Sequence, residues 1–241
     1  MLLAAIRTLA TYIGVGAHIL LVGPPVLLWT VISKNPRLLY RVGGFGVWLG
    51  FALSGVRVQV VGAEPIQRGR SAVYAANHSS NVEPPAVFLS LRVLFPALRM
   101  LYKAELRKIP ILVWVFDAAG FVPLERANRG QSLPAVDNAA RALAGGLSFI
   151  IFPEGTRSKT GELLPFKKGG FVMALQAQVP VVPVAVSGAR DAMKRGSILI
   201  RPVTVRVEFA PPISTAGLGF GDRELLAQQV RAAIDARLPK S

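Results

Sequence analysis

The N-terminal part of this chain contains an uncharged stretch longer than a globular core helix requires. No charged side chain occurs between Arg7 and Lys34, a run of 26 residues. As a straight helix this run would extend about 39 Å, more than the roughly 30 Å hydrocarbon core of a bilayer. Gly23-Pro24-Pro25 interrupts it, because proline disfavours helix at the preceding residue and removes backbone donors. The sequence therefore predicts a membrane segment whose form the prolines leave open.

A second apolar run lies between Arg41 and Arg57, and its 15 residues reach only about 22 Å as a helix. That length is too short to cross a bilayer unaided, so three arrangements stay open. The first run spans the membrane with a kink, or both runs form a helical hairpin within one leaflet, or the first run is a buried core helix. A cleaved signal peptide is disfavoured, since Arg7 is the one early cation and no small-residue cleavage site follows a short apolar core.

Three cations, Lys34, Arg37 and Arg41, follow the first apolar run. Lys and Arg concentrate on the cytoplasmic side of membrane segments. The sequence therefore predicts a chain bound to the inner cell membrane, with everything after the first run on the cytoplasmic face. His18 lies inside the run and is interpreted as a helix-packing residue rather than a base.

Composition narrows the class of partner. The net charge is +15, from 28 Lys and Arg against 13 Asp and Glu, while 52% of residues are hydrophobic. A chain that is both basic and apolar favours an anionic membrane over nucleic acid, and no helix-turn-helix or aromatic-interleaved basic stretch is found. The absence of Cys excludes disulfides, thiol nucleophiles and Cys-ligated zinc, and two histidines argue against a His-rich metal site.

After residues 55–57 the pattern changes to short β-branched runs that alternate with helix-like stretches. This alternation predicts an α/β fold with a single mixed sheet flanked by helices. The predicted organisation is a membrane-associated helical segment over 1–56 and a catalytic domain over 57–241. The predicted strands are 58–61, 72–76, 100–102, 121–124, 149–152, 181–186 and 203–209, and the predicted helices are 84–91, 105–116, 133–143, 170–178 and 222–238.

One of the two histidines, His78, follows a predicted buried strand in Ala-Asn-His-Ser-Ser-Asn-Val-Glu-Pro-Pro, residues 76–85. Glu83 comes five residues later, and the two prolines after it suit the first turn of a helix, which makes Glu83 the predicted N-cap. A carboxylate on one imidazole nitrogen fixes the tautomer and leaves the other nitrogen as a base. From these residues alone, a general-base pair and a capping glutamate beside a loop histidine both stay open.

A second block, Phe-Pro-Glu-Gly-Thr-Arg-Ser at 152–158, directly follows an apolar strand. Gly155 permits unusual dihedral angles, and the Arg157 guanidinium is a forked donor suited to phosphate. Three lysines follow within eleven residues of Arg157. An anion site and an ordinary basic loop both fit this pattern.

Two further basic residues follow predicted strands. Arg126 ends the block Gly-Phe-Val-Pro-Leu-Glu-Arg at 120–126, and Lys103 follows the short strand at 100–102. Ligands of α/β sheets commonly bind at such strand ends, although either residue alone also fits a plain surface cation. A fourth block, Val-Pro-Val-Val-Pro-Val at 179–184, reads as a strand with prolines near its start.

Together the four blocks resemble the 1-acylglycerol-3-phosphate acyltransferase family, of the bacterial lysophosphatidic acid acyltransferase type. They occur in the family's order and cover most of residues 72–187. The first box of that family is a His, four residues and an Asp, whereas the fifth position here is Glu83. The carboxylate is kept, but its side chain is one methylene longer. This chain therefore departs from the family in a residue that sets the geometry of the His78–Glu83 pair.

The resemblance implies a role for each matching residue. His78 would take the proton from the acceptor hydroxyl as it attacks an acyl thioester, and Glu83 would orient the imidazole. The remaining implied roles are phosphate binding by Lys103, Arg126 and Arg157, shaping of the acceptor site by Glu154, Gly155 and Thr156, and shaping of the acyl-donor side by 180–183. The implied substrates are a lysophospholipid acceptor and acyl-CoA or acyl carrier protein, with membrane lipids as partners, no nucleic acid, no metal and no bound cofactor.

Two other functions remain open at this point. The same chemistry could act on another lysolipid acceptor, such as a lyso-ornithine lipid. A basic membrane-surface binding protein without catalysis would explain the charge and the apolar N-terminus, but it would not require His78 and Glu83 beside two arginine blocks.

Overall fold

The N-terminal segment forms a helical hairpin. In a computed structural model, residues 1–66, 68–124 and 129–239 are described, although of Pro110 and 129–133 only the backbone is. Helix α1, Leu2–Ser33, and helix α2, Arg37–Ser54, pack antiparallel. The helices approach closely at two glycines: a Cβ on Gly14 would lie 2.6 Å from Leu53, and one on Gly46 would lie 2.8 Å from His18.

Helix α1 continues through Pro24 and Pro25, so the predicted interruption at this point was wrong. A proline inside a helix removes one hydrogen bond and leaves the rest of the ladder, and apolar membrane helices tolerate this loss. In the described part of the chain, α1 is long and apolar enough to cross a membrane. An 18-residue stretch of this helix has a mean hydropathy of 1.9, and 11% of that stretch is buried. The helix therefore indicates membrane association.

The start of α1 is hydrogen-bonded to the α/β part of the chain. The Thr8 hydroxyl donates to the Ile200 carbonyl at 3.2 Å and accepts from the Ile200 amide at 2.9 Å. The Tyr12 hydroxyl donates to the Ile198 carbonyl at 2.9 Å. Thus α1 lies along the domain instead of projecting away from it.

The remaining chain builds one seven-stranded mixed sheet, which confirms the predicted fold class. The strands are β1 Arg57–Val61, β2 Val73–Ala76, β3 Leu98–Lys103, β4 Val122–Leu124, β5 Ser148–Ile151, β6 Val181–Ser187 and β7 Thr204–Phe209. Their spatial order is β1-β7-β6-β2-β5-β3-β4. Strands β6, β2, β5, β3 and β4 run parallel to one another, while β7 runs antiparallel to β6 and parallel to β1.

The predicted helices form with small shifts at their ends. The observed helices after the hairpin are α3 Glu83–Ser90, α4 Pro110–Ala118, α5 Arg129–Ala144, α6 Gly169–Ala177, α7 Ala189–Ala192 and α8 Arg223–Asp235. The single helix predicted over 105–116 is divided into a 3₁₀ turn, Ala104–Lys108, and α4, because Pro110 suits only a first helical turn. The short helix α7 was not predicted.

Helices cover both faces of the sheet, so alternate residues of each strand enter different cores. Tyr74 of β2 packs towards α2 and α3, whereas Val73 packs towards α5, α6 and α8. On the second face Leu226, Val230 and Ile234 of α8 are fully buried, and burial of each such side chain contributes roughly 1.5–3 kcal/mol. The Tyr74 hydroxyl is buried and has no hydrogen-bond partner among the described residues, and this burial raises the pKa of Tyr74 to about 12.

Candidate active site

The residues singled out in the sequence gather at one edge of the sheet. The parallel strands β2, β5, β3 and β4 point their carboxyl ends to the same edge. His78 lies two residues beyond β2, the 152–158 block begins directly after β5, and Lys103 is the last residue of β3. This is the edge at which α/β sheets bind ligands.

Hydrogen bonds to two other segments fix the backbone around His78. The His78 amide donates to Glu154 Oε1 at 2.6 Å, and the His78 carbonyl accepts from the Ser158 amide at 2.7 Å. The side chain of Asn77 donates to the Val186 carbonyl at 2.9 Å and accepts from the Val186 amide at 2.7 Å. The histidine is therefore held by the segments after β5 and by the end of β6, not only by its own loop.

The imidazole of His78 and the carboxylate of Glu83 form a close pair. His78 Nδ1 lies 2.8 Å from Glu83 Oε2, and the His78 side chain is 15% exposed while that of Glu83 is fully buried. The His78 ring also packs on Phe152, with centroids 4.7 Å apart. A carboxylate can only accept, so Nδ1 carries the proton and Nε2 keeps a lone pair. The sequence left open whether His78 and Glu83 form a general-base pair or only a loop histidine beside a capping glutamate. This geometry supports the general-base pair.

Glu83 also accepts hydrogen bonds from three donors in the loop between His78 and α3. The Ser79 amide donates to both carboxylate oxygens at 2.9 and 2.7 Å, the Ser79 hydroxyl donates at 2.6 Å, and the Ser80 amide donates at 3.1 Å. Glu83 is the first residue of α3 and Val82 is the N-cap, so the predicted N-cap was displaced by one residue. Four donors on two oxygens stabilise a buried carboxylate without a cation.

Glu154 accepts hydrogen bonds from backbone amides and so connects its own block, 152–158, to the block at 76–85. Its Oε1 accepts from His78, and its Oε2 accepts from the Leu164 amide at 3.1 Å. The residue is 3% exposed, and burial raises the pKa of its carboxyl to about 7, although both backbone donors act in the opposite direction. The predicted role of Glu154 in shaping the acceptor site stays a prediction, and its described contacts are with the loops that hold His78.

The rest of this block turns sharply and carries its arginine to the same edge. Gly155 has φ +68°, and a Cβ there would lie 2.9 Å from the Lys167 side chain. Thr156 is exposed and Arg157 is half-buried. Arg195 donates to the Arg157 carbonyl at 2.6 Å, and no partner for the Arg157 guanidinium lies among the described residues. The guanidinium is therefore available to an anion.

The other predicted phosphate-binding residues are Lys103 and Arg126. Lys103 is about half exposed and its Nζ lies 3.1 Å from Glu105. Arg126 falls outside the described residues. Lys168, one of the lysines after Arg157, pairs with Glu224 at 2.7 Å and is thereby directed to α8.

The proline block is not brought together with His78. The Pro180 carbonyl accepts from the Val73 amide, where β2 begins, and Pro183 is paired with Ala75 inside the sheet. Both prolines therefore lie with the core strand β6, and the predicted role of 180–183 on the acyl-donor side stays a prediction.

An apolar cavity of about 510 Å³ lies next to the site. It is an open cleft between the α1–α2 hairpin and the start of α3, where Asn81, Val82 and Pro85 contribute to its wall. His18 also borders this cavity, and its Nε2 lies 3.1 Å from the Val42 carbonyl of α2, which confirms the helix-packing interpretation.

The sequence did not identify several residues that hold the site. Ser79 and Ser80 bind Glu83, the Asn77 amide joins β2 to β6, and Arg195 fixes the backbone of Arg157. A serine pair just before a carboxylate is a local signal that could have been read, whereas Arg195 is distant in sequence and gave none. In the part of the chain described, no group of three or more His, Asp or Glu side chains could hold a metal ion.

Comparisons with known proteins agree with this geometry. The sequence profile of a family described as Acyltransferase matches residues 57–187. A 1-acyl-sn-glycerol-3-phosphate acyltransferase of Limnanthes douglasii is 33% identical over 175 residues, which are 72% of this chain and 59% of the relative. The alpha enzyme of that name from Mus musculus is 32% identical over 194 residues, covering 76% of this chain and 64% of the relative. The chain thus spans less than two thirds of the length of these relatives.

A solved structure extends the likeness to the hairpin. The crystal structure of the 1-acyl-sn-glycerophosphate acyltransferase from Thermotoga maritima matches with a TM-score of 0.78 at 27% identity, over 98% of both chains. The family match over 57–187 covers more than half of the 241 residues and includes His78, Glu83 and Arg157. The chain belongs to the acyltransferase family.

Proposed function

We propose that this chain transfers an acyl group from a thioester to the free hydroxyl of 1-acylglycerol-3-phosphate, giving phosphatidic acid. The observation that carries the proposal is the 2.8 Å contact between His78 Nδ1 and the buried Glu83 carboxylate at the ligand-binding edge of the sheet. The names of the relatives and of the solved structure support the choice of acceptor.

The pair acts as a general base in this proposal. His78 Nε2 takes the proton from the acceptor hydroxyl, whose oxygen attacks the thioester carbonyl carbon. The C–S bond then breaks, an ester remains, and the proton passes from His78 to the departing thiolate. Glu83 stabilises the imidazolium that exists between these two events. The reaction needs no resident cofactor, because the thioester brings its own activation.

The acceptor's phosphate selects the substrate through cations at the same edge. Arg157, with no described partner, supplies a forked donor that matches phosphate oxygens, and Lys103 adds a point charge at the end of β3. The proposal also includes Arg126, two residues beyond the end of β4 in sequence. An acceptor without phosphate would leave the Arg157 guanidinium without an anion, so the proposed site discriminates against it.

The hairpin and its cavity provide the apolar environment for two lipids. We place the hairpin in one leaflet, since Thr8 and Tyr12 bind the loop at 198–200 and hold α1 along the domain. The exposed face of α1 contacts the acyl region, and the 510 Å³ cavity beside α3 accommodates an acyl chain next to the base. The cations after α1 support the proposal that the domain faces the cytoplasm at the inner membrane, with acyl-CoA and acyl carrier protein as candidate donors.

A panel of acceptors tests the proposal. Purified protein is given a labelled acyl-CoA or acyl carrier protein thioester together with 1-acylglycerol-3-phosphate, 1-acylglycerol or a lyso-ornithine lipid. We expect turnover with the phosphate-bearing acceptor and a loss of roughly 10- to 100-fold in kcat/KM when the phosphate is absent.

The variant Arg157→Gln should remove most of this preference, because it deletes both the forked donor and the positive charge while keeping a polar side chain. Arg141→Gln, on the far helix α5, is the matched control and should keep the preference. A wild-type protein that turns over none of the acceptors, or that prefers the acceptors lacking phosphate, would refute the substrate assignment.

A further inference from the structure

A second cavity, of about 410 Å³, lies at the edge of the sheet opposite His78. Its floor comes from residues 93–97 before β3, together with Gly146 and Ser148 at the start of β5. Its walls carry four arginines, Arg37 and Arg41 from the first turns of α2 and Arg68 and Arg70 from the connection between β1 and β2. The four-residue strand β2 separates this edge from the base by about 13 Å of strand.

Nothing in the described lining balances these charges. No carboxylate lines the cavity among the described residues. Arg68 Nε donates to the Val93 carbonyl at 2.9 Å, which anchors the side chain and leaves its two terminal nitrogens without a described partner. For the side chains of Arg37, Arg41 and Arg70 the described part of the chain offers no hydrogen bond or ion pair. All four arginines are exposed, so water screens their mutual repulsion, and an anion placed between them would be attracted by all four charges.

The surroundings of the cavity indicate which kind of anion. Ser33 is the last residue of α1, and Arg37 begins the next helix three residues after Lys34, so the cavity adjoins the end of the apolar helix. Near that end Trp29 and Ile32 are 56% and 70% exposed, as expected for a helix end seated at a bilayer surface. With the hairpin seated in a membrane, as proposed above, the cavity would lie at the level of the phospholipid head groups.

The floor of the cavity adds an apolar component. Val93, Leu94, Phe95 and Pro96 lie beneath the arginines. Inorganic phosphate has no apolar part that could contact this surface. A phospholipid does, because its phosphate diester is joined to glycerol and acyl carbons. Arginine is also the side chain whose planar fork fits phosphate oxygens.

We propose that this arginine cavity binds the phosphate head group of an anionic membrane phospholipid, as a lipid site separate from the acyl-transfer site. The bound lipid would fix the end of the hairpin to the domain and the domain to an anionic surface. This inference does not depend on the proposed acyl transfer, because its residues lie at the other edge of the sheet.

Lipid retention by the full-length protein in detergent tests the proposal. Native mass spectrometry, without any acyl donor, compares binding of phosphatidylglycerol with binding of phosphatidylcholine. We expect the wild type to prefer phosphatidylglycerol, and the double variant Arg68→Gln/Arg70→Gln to bind it about 30-fold more weakly, which corresponds to about 1 kcal/mol for each arginine at a membrane surface.

Two further variants make the result specific. Arg141→Gln/Arg223→Gln removes the same charge from α5 and α8 and should keep the wild-type preference. Arg37→Gln/Arg41→Gln removes the other wall of the cavity and should lose the preference as the first pair does, which covers the case that one double variant does not fold. Equal retention of phosphatidylglycerol by the wild type and by both cavity variants would overturn the proposal.

An added arm separates a lipid from a free anion. Excess inorganic phosphate should leave phosphatidylglycerol bound if the apolar floor contributes. Displacement of the lipid together with retention of phosphate by the wild type, but not by the cavity variants, would overturn the lipid assignment and identify a site for soluble phosphate.

Discussion

The length of the Glu83 side chain gives a sharp test of the general-base pair that it forms with His78. In Glu83→Asp the carboxylate withdraws by one C–C bond, about 1.3 Å along the chain. The contact with His78 Nδ1 measures 2.8 Å and would open to about 4 Å, beyond hydrogen-bond length. The amides of Ser79 and Ser80, which point at the same carboxylate, would hold the shortened side chain only by leaving the imidazole.

The size of the effect follows from the contacts that are lost. A hydrogen bond to a charged group contributes about 1.5–3 kcal/mol, which corresponds to a roughly 10- to 100-fold decrease in kcat. The isosteric control is Glu83→Gln, which keeps the length but offers one acceptor oxygen to four donors. An amide NH₂ facing Nδ1 would favour the wrong imidazole tautomer, so we expect kcat to fall roughly 10³- to 10⁴-fold.

Single-turnover acyl transfer measures these rates without interference from product release. Circular dichroism and thermal unfolding verify that each variant is folded. Wild-type activity in Glu83→Asp would show that the loop at 79–82 adjusts freely, and it would refute the argument that the four fixed donors require the longer side chain.

Three further predictions concern the stability of the folded protein. Tyr74→Phe removes a hydroxyl that lacks a described partner, so the free energy of unfolding in urea should rise by about 1 kcal/mol; a decrease would mean that the hydroxyl is bonded. For Glu154, burial raises the folded-state pKa from 4.5 to about 7, so the folded protein holds a proton that the unfolded chain releases. Wild-type stability should therefore fall between pH 4.5 and about 7 by at most about 3 kcal/mol relative to Glu154→Gln; a pH-independent difference between the two would contradict this. Gly155→Ala should cost about 1 kcal/mol, because φ is +68° there, and unchanged stability would mean that the turn rearranges.

The fold was predictable where local pattern and tertiary structure agree. Each of the seven β-branched or aromatic runs became a strand. The continuous apolar runs of β2, β5 and β6 match parallel strands that are buried on both faces of the sheet. The break expected at Pro24 did not occur, since the effect of a proline on a helix depends on what surrounds it, and here α1 is packed along α2.

The chemistry of the site could be predicted from the sequence, but the long-range contacts that hold its residues in place could not. His78 and Glu83 are five residues apart, so one loop brings them together and sequence spacing indicates the pair. The bond from the His78 amide to Glu154 joins residues 76 positions apart, and only the order of strands β2 and β5 brings them side by side. The domain boundary near 56, the role of Arg126 and a bacterial origin stay predictions.

The central claim is that His78 is the base for acyl transfer. The most direct measurement is the single-turnover rate of purified His78→Ala with an acyl thioester and 1-acylglycerol-3-phosphate, at substrate concentrations that saturate the wild type. The account predicts a rate roughly 10²- to 10⁴-fold below wild type, with acceptor binding and thermal unfolding unchanged. A folded His78→Ala protein that transfers the acyl group at the wild-type rate would contradict it.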